Sequence, residues 1–334
     1  MSGRVFARTG MIVAVAALLA ASCSDDAPQT TTTGPPSSSA TTIVAAAPTT
    51  STTHVVEGAS VSTLVAEIAI STGGVAVDAE GVVYVANIGP APRRRGTRVF
   101  RITPDGEATL FVEDDRLRGA SGNAIDADGN LYQSAITAGA ILRITPDGTV
   151  EEFANDGVVG PVGVVIDADS GGLFVADCAA NTVVAISADG EATDFADDPL
   201  FACPNGITQD DAGNLYVANF GNGLVLVVTP DGAVTELADV PGDNNGHIAY
   251  HLGVLYVVGR GAHQIFTVSL DGAVEVLAGS GERGIEDGPA SVASFSLPNG
   301  IAIGPDDTIY VNHVASATGS LNFPTAVRVI HLEE

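Results

Sequence analysis

The chain has 334 residues, of which 13 are basic, all of them Arg, and 40 are Asp or Glu, giving a formal net charge of −27. A surface of that sign repels phosphate backbones and anionic lipid headgroups, which excludes nucleic acid as a partner and leaves a membrane reachable only through a covalent anchor. Solvated carboxylates in turns account for the acidity without implying any particular substrate.

Arg4 and Arg8 precede an apolar run from Met11 to Ala21, closed by Leu19-Ala20-Ala21-Ser22-Cys23. The run is shorter than the ~20 apolar residues a spanning helix needs, and its layout is that of an export signal. Small residues ending at a cysteine resemble the bacterial lipobox. That resemblance implies removal of residues 1–22 and acylation of Cys23, with plain secretion as the alternative. Residues 23–60 are mostly Ser, Thr, Pro and Ala and bury too little apolar surface to offset their ordering entropy, which predicts a disordered stalk. The expectation is an extracytoplasmic lipoprotein of the bacterial cell envelope.

Residues 61–334 hold an internal repeat. Six segments start with Gly, run through a short apolar strand and an Asp/Gly-rich turn, and reach an aromatic that opens a second strand: GVAVDAEGVVYVAN from Gly74, GNAIDADGNLYQSA from Gly122, GVVIDADSGGLFVAD from Gly163, GITQDDAGNLYVAN from Gly206, GHIAYHLGVLYVVG from Gly246 and GIAIGPDDTIYVNH from Gly300. A second Asp-Gly turn follows at Asp105, Asp147, Asp189, Asp231 and Asp271. Asp-Gly between alternating apolar runs marks a hairpin, so each repeat reads as a four-stranded antiparallel meander. Gly-to-Gly intervals of 48, 41, 43, 40 and 54 match the length of a propeller blade. The last repeat lacks a fourth strand, and Val61 to Ile68 supplies it. The fold expected is all-β: a six-bladed β-propeller of four-stranded antiparallel blades, closed by an N-terminal strand.

The segments Leu277 to Val311 and Cys203 to Asn219 resemble NHL-repeat and gluconolactonase-like six-bladed propellers, the group that includes senescence-marker-protein-like and strictosidine-synthase-like chains. In gluconolactonase-like enzymes a Glu, an Asn and an Asp just before equivalent Gly anchors hold a divalent metal. Asn205 and Asn299 match the Asn position. The first two anchors carry Gly73 and Ser121 in place of the Glu, and Asn245 stands where an Asp would. A divalent cation, calcium or similar, would then need Asn205, Asn299 and a carboxylate from Asp177 or Glu286.

In an antiparallel meander alternate turns share a face, so candidate contacts fall just before each Gly anchor and just after each second strand. The first ring is Gly73, Ser121, Val162, Asn205, Asn245 and Asn299; the second is Asn87, Ala135, Asp177, Asn219, Gly259 and His313. Turn chemistry alone accounts for Pro-Asn-Gly, and Asn87, Asp177 and Asn219 are expected to bond the following loop. His247, His263 and His313 face the same side without a metal-binding spacing. Asp126, Asp128 and Asn130 imitate a calcium loop but lack its Gly and distal Glu, which favours a β-turn. Arg94, between Arg93 and Arg95, is a candidate to receive an anionic group. Cys178 and Cys203 fall on that face in adjacent blades and are expected to form a disulfide, as suits an oxidising compartment.

The functional expectation is a monomeric binding module whose face, with Asn205, Asn245, Asn299, His313 and Arg94, holds a small molecule, glycan or protein. The alternative is a gluconolactonase-like, metal-assisted hydrolase of lactones or esters.

Overall fold

Alternating apolar positions and Gly-bearing turns fold each repeat back on itself, as its spacing predicts. The computed structural model describes residues 58–70, 72–319 and 324–332. The export signal, Cys23 and nearly all of the stalk lie outside them.

Six antiparallel sheets form the blades of a propeller. Blade one is Thr72–Val77, Val83–Asn87, Arg98–Ile102 and Ala108–Glu113; blade two is Ala120–Ile125, Leu131–Ala135, Ala140–Ile144 and Val150–Ala154. Blade three is Pro161–Ile166, Leu173–Asp177, Thr182–Ile186 and Ala192–Asp197; blade four is Pro204–Gln209, Leu215–Asn219, Leu224–Val228 and Val234–Asp239. Blade five is Asn245–His251, Val254–Gly259, Gln264–Ser269 and Val274–Ala278. Blade six joins Ile301–Ile303, Ile309–Val314 and Thr325–His331 to the N-terminal strand Ser60–Ile68. That strand runs antiparallel to Thr325–His331, with Ser60 opposite His331 and Ile68 opposite Thr325. A two-residue strand, Gly288–Pro289, then covers its outer edge, an addition to the expected four strands.

Apolar clusters fill the gaps between blades. Tyr132 and Ile141 of blade two meet Val164 and Leu173 of blade three, and Tyr310 and Val327 of blade six meet Val75 and Val85 of blade one. Each Val, Leu or Ile buried this way contributes about 1.5–3 kcal/mol, so the ring is held by its gaps as much as by its sheets.

The glycine that begins each repeat has a packing reason. A Cβ on Gly163 would lie 2.4 Å from the Asn205 carbonyl oxygen, and one on Gly246 would lie 2.4 Å from that of Asn299. First strands of adjacent blades therefore touch backbone to backbone around the axis, and a side chain there would push them apart.

Turns within each blade alternate between two faces. On one face lie the Asp-containing hairpin turns, closed by their own side chains. Asp78 Oδ1 accepts from the Glu80 and Val82 amides, and Asp210 Oδ1 from those of Ala212 and Asn214. Asp126 accepts from the Asp128 and Asn130 amides at 3.0 and 2.8 Å and from Asn130 Nδ2, making a β-turn rather than a cation loop. At the second turn Thr103, Thr145, Thr229 and Ser269 donate their hydroxyls to Asp105, Asp147, Asp231 and Asp271.

Candidate functional site

The opposite face carries the loops between blades and those between second and third strands. A cavity of about 270 Å³ opens there, with residues from all six blades or the loops leading into them in its wall. Ser121, Val162, Asn205 and Asn299 come from the positions just before the Gly anchors, while in blade one Thr72, two residues before Gly74, lines the wall in place of Gly73. Ile88, Ile136, Cys178, Phe220 and Arg260 come from the second set, each one residue later than the sequence suggested.

That offset follows from strand pairing. Asn87 is still opposite Thr72, Ala135 opposite Ala120, Asp177 opposite Pro161, Asn219 opposite Pro204 and Gly259 opposite Asn245. These residues end the ladder and are buried; side chains alternate along a strand, so the next residue turns into the opening. Their polar side chains organise loops. The Asp177 carboxylate accepts from the Val159, Gly160, Ala179 and Ala180 amides, Asn87 Oδ1 from Gly89 N, and Asn219 Nδ2 donates to Leu200 O.

The structure separates the candidate residues. Asn205, Asn299 and Arg94 line the cavity, whereas Asn245, His313 and Asp177 do not. Asn245 turns its Nδ2 to Gly223 O at 2.6 Å. His313 is 0 % exposed: its Nδ1 accepts from Ser296 N, its Nε2 faces Arg328 Nη1 at 3.3 Å, and its ring meets Phe295 edge to face. Burial, then the Arg328 charge, pushes its pKa down to about 3, so it stays neutral inside blade six. His263 Nδ1 accepts from Leu297 N. His247, on the first strand of blade five, is pushed down to about 4 by burial and then by Arg260; its Cε1 lies 2.8 Å from where a Gly122 Cβ would stand.

Arg260 is the residue the sequence reading missed. It is 7 % exposed, and its Nη1 donates to Leu297 O at 3.4 Å, Pro298 O at 3.2 Å and Asn299 Oδ1 at 2.8 Å. Of the arginine triplet, Arg93 and Arg95 are exposed and Arg94 is half-buried and faces the cavity. Four loop residues of this face other than Asn and Asp, namely Arg94, Cys203, His263 and Leu297, have φ between 43° and 58°. Such left-handed conformations cost about 1–3 kcal/mol each and gather where a site is held in shape. Cys178 and Cys203 form a disulfide in the cavity wall, tying blade three to the entry of blade four.

The donor set does not fit a divalent cation. Asp177 has spent its carboxylate on backbone amides and the side-chain oxygen of Asn299 already receives a guanidinium, so neither offers the free oxygen or the charge that a hard cation wants. Among the described residues no group of three or more His, Cys, Asp and Glu side chains could hold a metal ion.

Residues 91–322 match the model of the virginiamycin B lyase family. The chain belongs to that family. Solved structures share the fold of this family member. A catalytically inactive His-to-Ala variant of the Staphylococcus aureus virginiamycin B lyase, crystallised with quinupristin, is 17% identical with a TM-score of 0.56, covering 82% of this chain and 100% of that one. A gluconolactonase from Xanthomonas campestris is 17% identical with a TM-score of 0.63, over 84% and 91% of the two chains. An auxiliary nutrient binding protein from Bacteroides thetaiotaomicron is 14% identical with a TM-score of 0.64, over 83% and 77%. At these identities the likeness concerns the fold. No curated protein matches this virginiamycin B lyase family chain. Its disulfide suits a chain that folds in an oxidising compartment, and among the described residues no helix is long and apolar enough to cross a membrane.

Proposed function

We propose that this chain is a binding module, exported and held at the cell envelope through an acylated Cys23, that seats a small molecule in the axial cavity without transforming it. The cavity lining carries the reading: Ile88, Ile136, Val162, Phe220 and a disulfide make an apolar wall, and Arg94, Arg260, Ser121, Thr72, Asn205 and Asn299 supply its polar groups. Convergent polar groups on an apolar wall are the usual make-up of a ligand site. Arginine keeps its proton in proteins and both lining cysteines are oxidised, so this wall supplies no general base and no thiolate.

Family membership favours a second reading, turnover of a cyclic ester or lactone. The inactive Staphylococcus aureus variant lacks one histidine, and here no histidine lines the cavity among the described residues, which supports binding over turnover. Incubating the protein with quinupristin and with gluconolactone, with magnesium or calcium or with chelator, tests this by mass spectrometry. We expect recovery of both no different from buffer alone. Chelator-sensitive turnover that Asn205→Ala removes would replace the first reading with the second. Palmitate labelling should mark the wild type and not Cys23→Ser; an unlabelled wild type would refute the anchor and leave the binding reading standing.

A further inference from the structure

We infer that the axial cavity is an anion site: it takes an amphipathic carboxylate whose charged end lodges between Arg94 and Arg260 while its apolar body lies against Ile136, Val162 and Phe220. This rests on the cavity being a ligand seat and adds the sign and chemistry of what it holds.

Arg260 gives the first argument. It is nine-tenths buried in the cavity wall, and every acceptor it meets is a neutral oxygen. Ion pairs among the described residues engage Arg116, Arg143, His251 and Arg328, but neither Arg260 nor Arg94. Nη1 carries all of the side chain's hydrogen bonds, and neither Nε nor Nη2 is among the sealed, unpartnered atoms. Those two nitrogens therefore keep some accessible surface, and the opening that Arg260 lines is the cavity. A guanidinium presents such N–H groups as a fork that matches the two oxygens of a carboxylate.

Charge distribution gives the second. Acidic residues outnumber basic ones 40 to 13 in the chain, yet the cavity wall holds two arginines and neither Asp nor Glu. The sign of the surface is reversed at this opening. Low-dielectric walls strengthen attraction to an entering anion, while the acidic exterior disfavours anions that lack an apolar body to bury.

Loop geometry gives the third. Arg94 has a φ of 43°, its amide donates to Pro90 O at 3.0 Å and its carbonyl accepts from Thr137 Oγ1 at 2.6 Å. The backbone is thus fixed with this arginine facing inward and its neighbours Arg93 and Arg95 outward. Burial, followed by the charges of Arg94 and Arg283, lowers Arg260 to about 10. The cations repel one another and remain charged at neutral pH, a repulsion that a bound anion relieves. Where a metal would need the Asn299 oxygen, Arg260 already holds it, so the ligand class changes sign relative to the gluconolactonase-like expectation.

Calorimetry with 4-phenylbutanoate and its neutral isostere 4-phenylbutanamide tests the inference on the full chain. We expect the carboxylate to bind about tenfold tighter or more, the range of a charge-assisted pair in a partly buried site. Arg94→Gln, in a half-exposed loop, should melt like the wild type and bring the two compounds to similar affinity. Arg260→Gln should do the same if it folds; if it does not, Arg94→Gln decides alone. Equal binding of both compounds by the wild type overturns the anion site and leaves the cavity as a ligand seat. A carboxylate preference untouched by Arg94→Gln overturns the placement, and binding of neither compound overturns this inference and the ligand seat together.

Discussion

The two faces of the propeller are built by different rules. On the hairpin face one solution recurs around the ring: an Asp accepts from amides two and four residues on, as Asp78, Asp126 and Asp210 do, or a Thr or Ser hydroxyl bonds the Asp of an Asp-Gly turn. On the cavity face the equivalent positions diverge, with only Ile88 matching Ile136 and Asn205 matching Asn299. Blade one sends in Arg94, blade three a disulfide sulfur, blade four Phe220 and blade five Arg260. Repetition marks what every blade needs in order to fold, and departure from it marks what one ligand needs. The charge follows the same division, since the acidic turns satisfy themselves and the cavity arginines do not.

Three substitutions can break or sharpen that contrast. The largest effect belongs to the hub that both faces share. Gly163→Val forces a side chain against the Asn205 carbonyl and the Ile207 amide, 2.4 and 3.0 Å from the new Cβ. Overpacking of this kind against backbone should cost about 3 kcal/mol or more, read as a lowered urea midpoint or as insoluble protein; a wild-type midpoint would refute the account of the Gly anchors.

Next comes the disulfide. Cys178 and Cys203 are 25 residues apart, and chain-entropy reasoning gives about 3 kcal/mol for closing such a loop. Serine at both positions should lower stability by that order. It should also weaken 4-phenylbutanoate binding, because the bridge is part of the cavity wall. Unchanged binding would detach the bridge from the site.

The smallest effect is on the hairpin face. Burial raises the Asp210 pKa, and donors from Asn214, Tyr216 and Ala212 more than reverse this, leaving it below its ordinary value of 3.8. Its stabilisation is therefore fully present above about pH 4 and is lost as pH falls through the lowered pKa. Asp210→Ala should cost about 1–2 kcal/mol at neutral pH and leave 4-phenylbutanoate affinity unchanged. A change in affinity would mean that the two faces are coupled and that the division drawn above fails.

The sequence was most legible where the chain repeats itself. Gly74 through Gly300, the Asp-Gly turns, the pairing of Val61 to Ile68 with the C-terminal strand and the Cys178–Cys203 bridge all follow from period and topology. Side-chain direction at the ends of the second strands did not. Asn87, Asp177, Asn219 and His313 follow the aromatic at the ring's spacing, yet each is still inside its sheet. Asn87 and Asp177 bond the following loop as expected, and in blades one, three and four it is the next residue that faces the cavity. With a period of two, that offset of one residue exchanges buried for facing, and it hid Arg260 and Phe220. Asn245 shares its position with Asn205 and Asn299, but a backbone carbonyl from the loop between the second and third strands of blade four, Gly223 O, claims its amide. A motif cannot foresee that capture, because it depends on a contact between blades four and five.

Sealing blade six with Ser60–Ile68 makes closure of the ring depend on two segments more than 250 residues apart, Ser60 pairing with His331 and Ile68 with Thr325. Until Thr325–His331 pairs with that strand the blades form an open arc with two raw edges, and its pairing removes both. A chain shortened within either of these strands would be left as that arc.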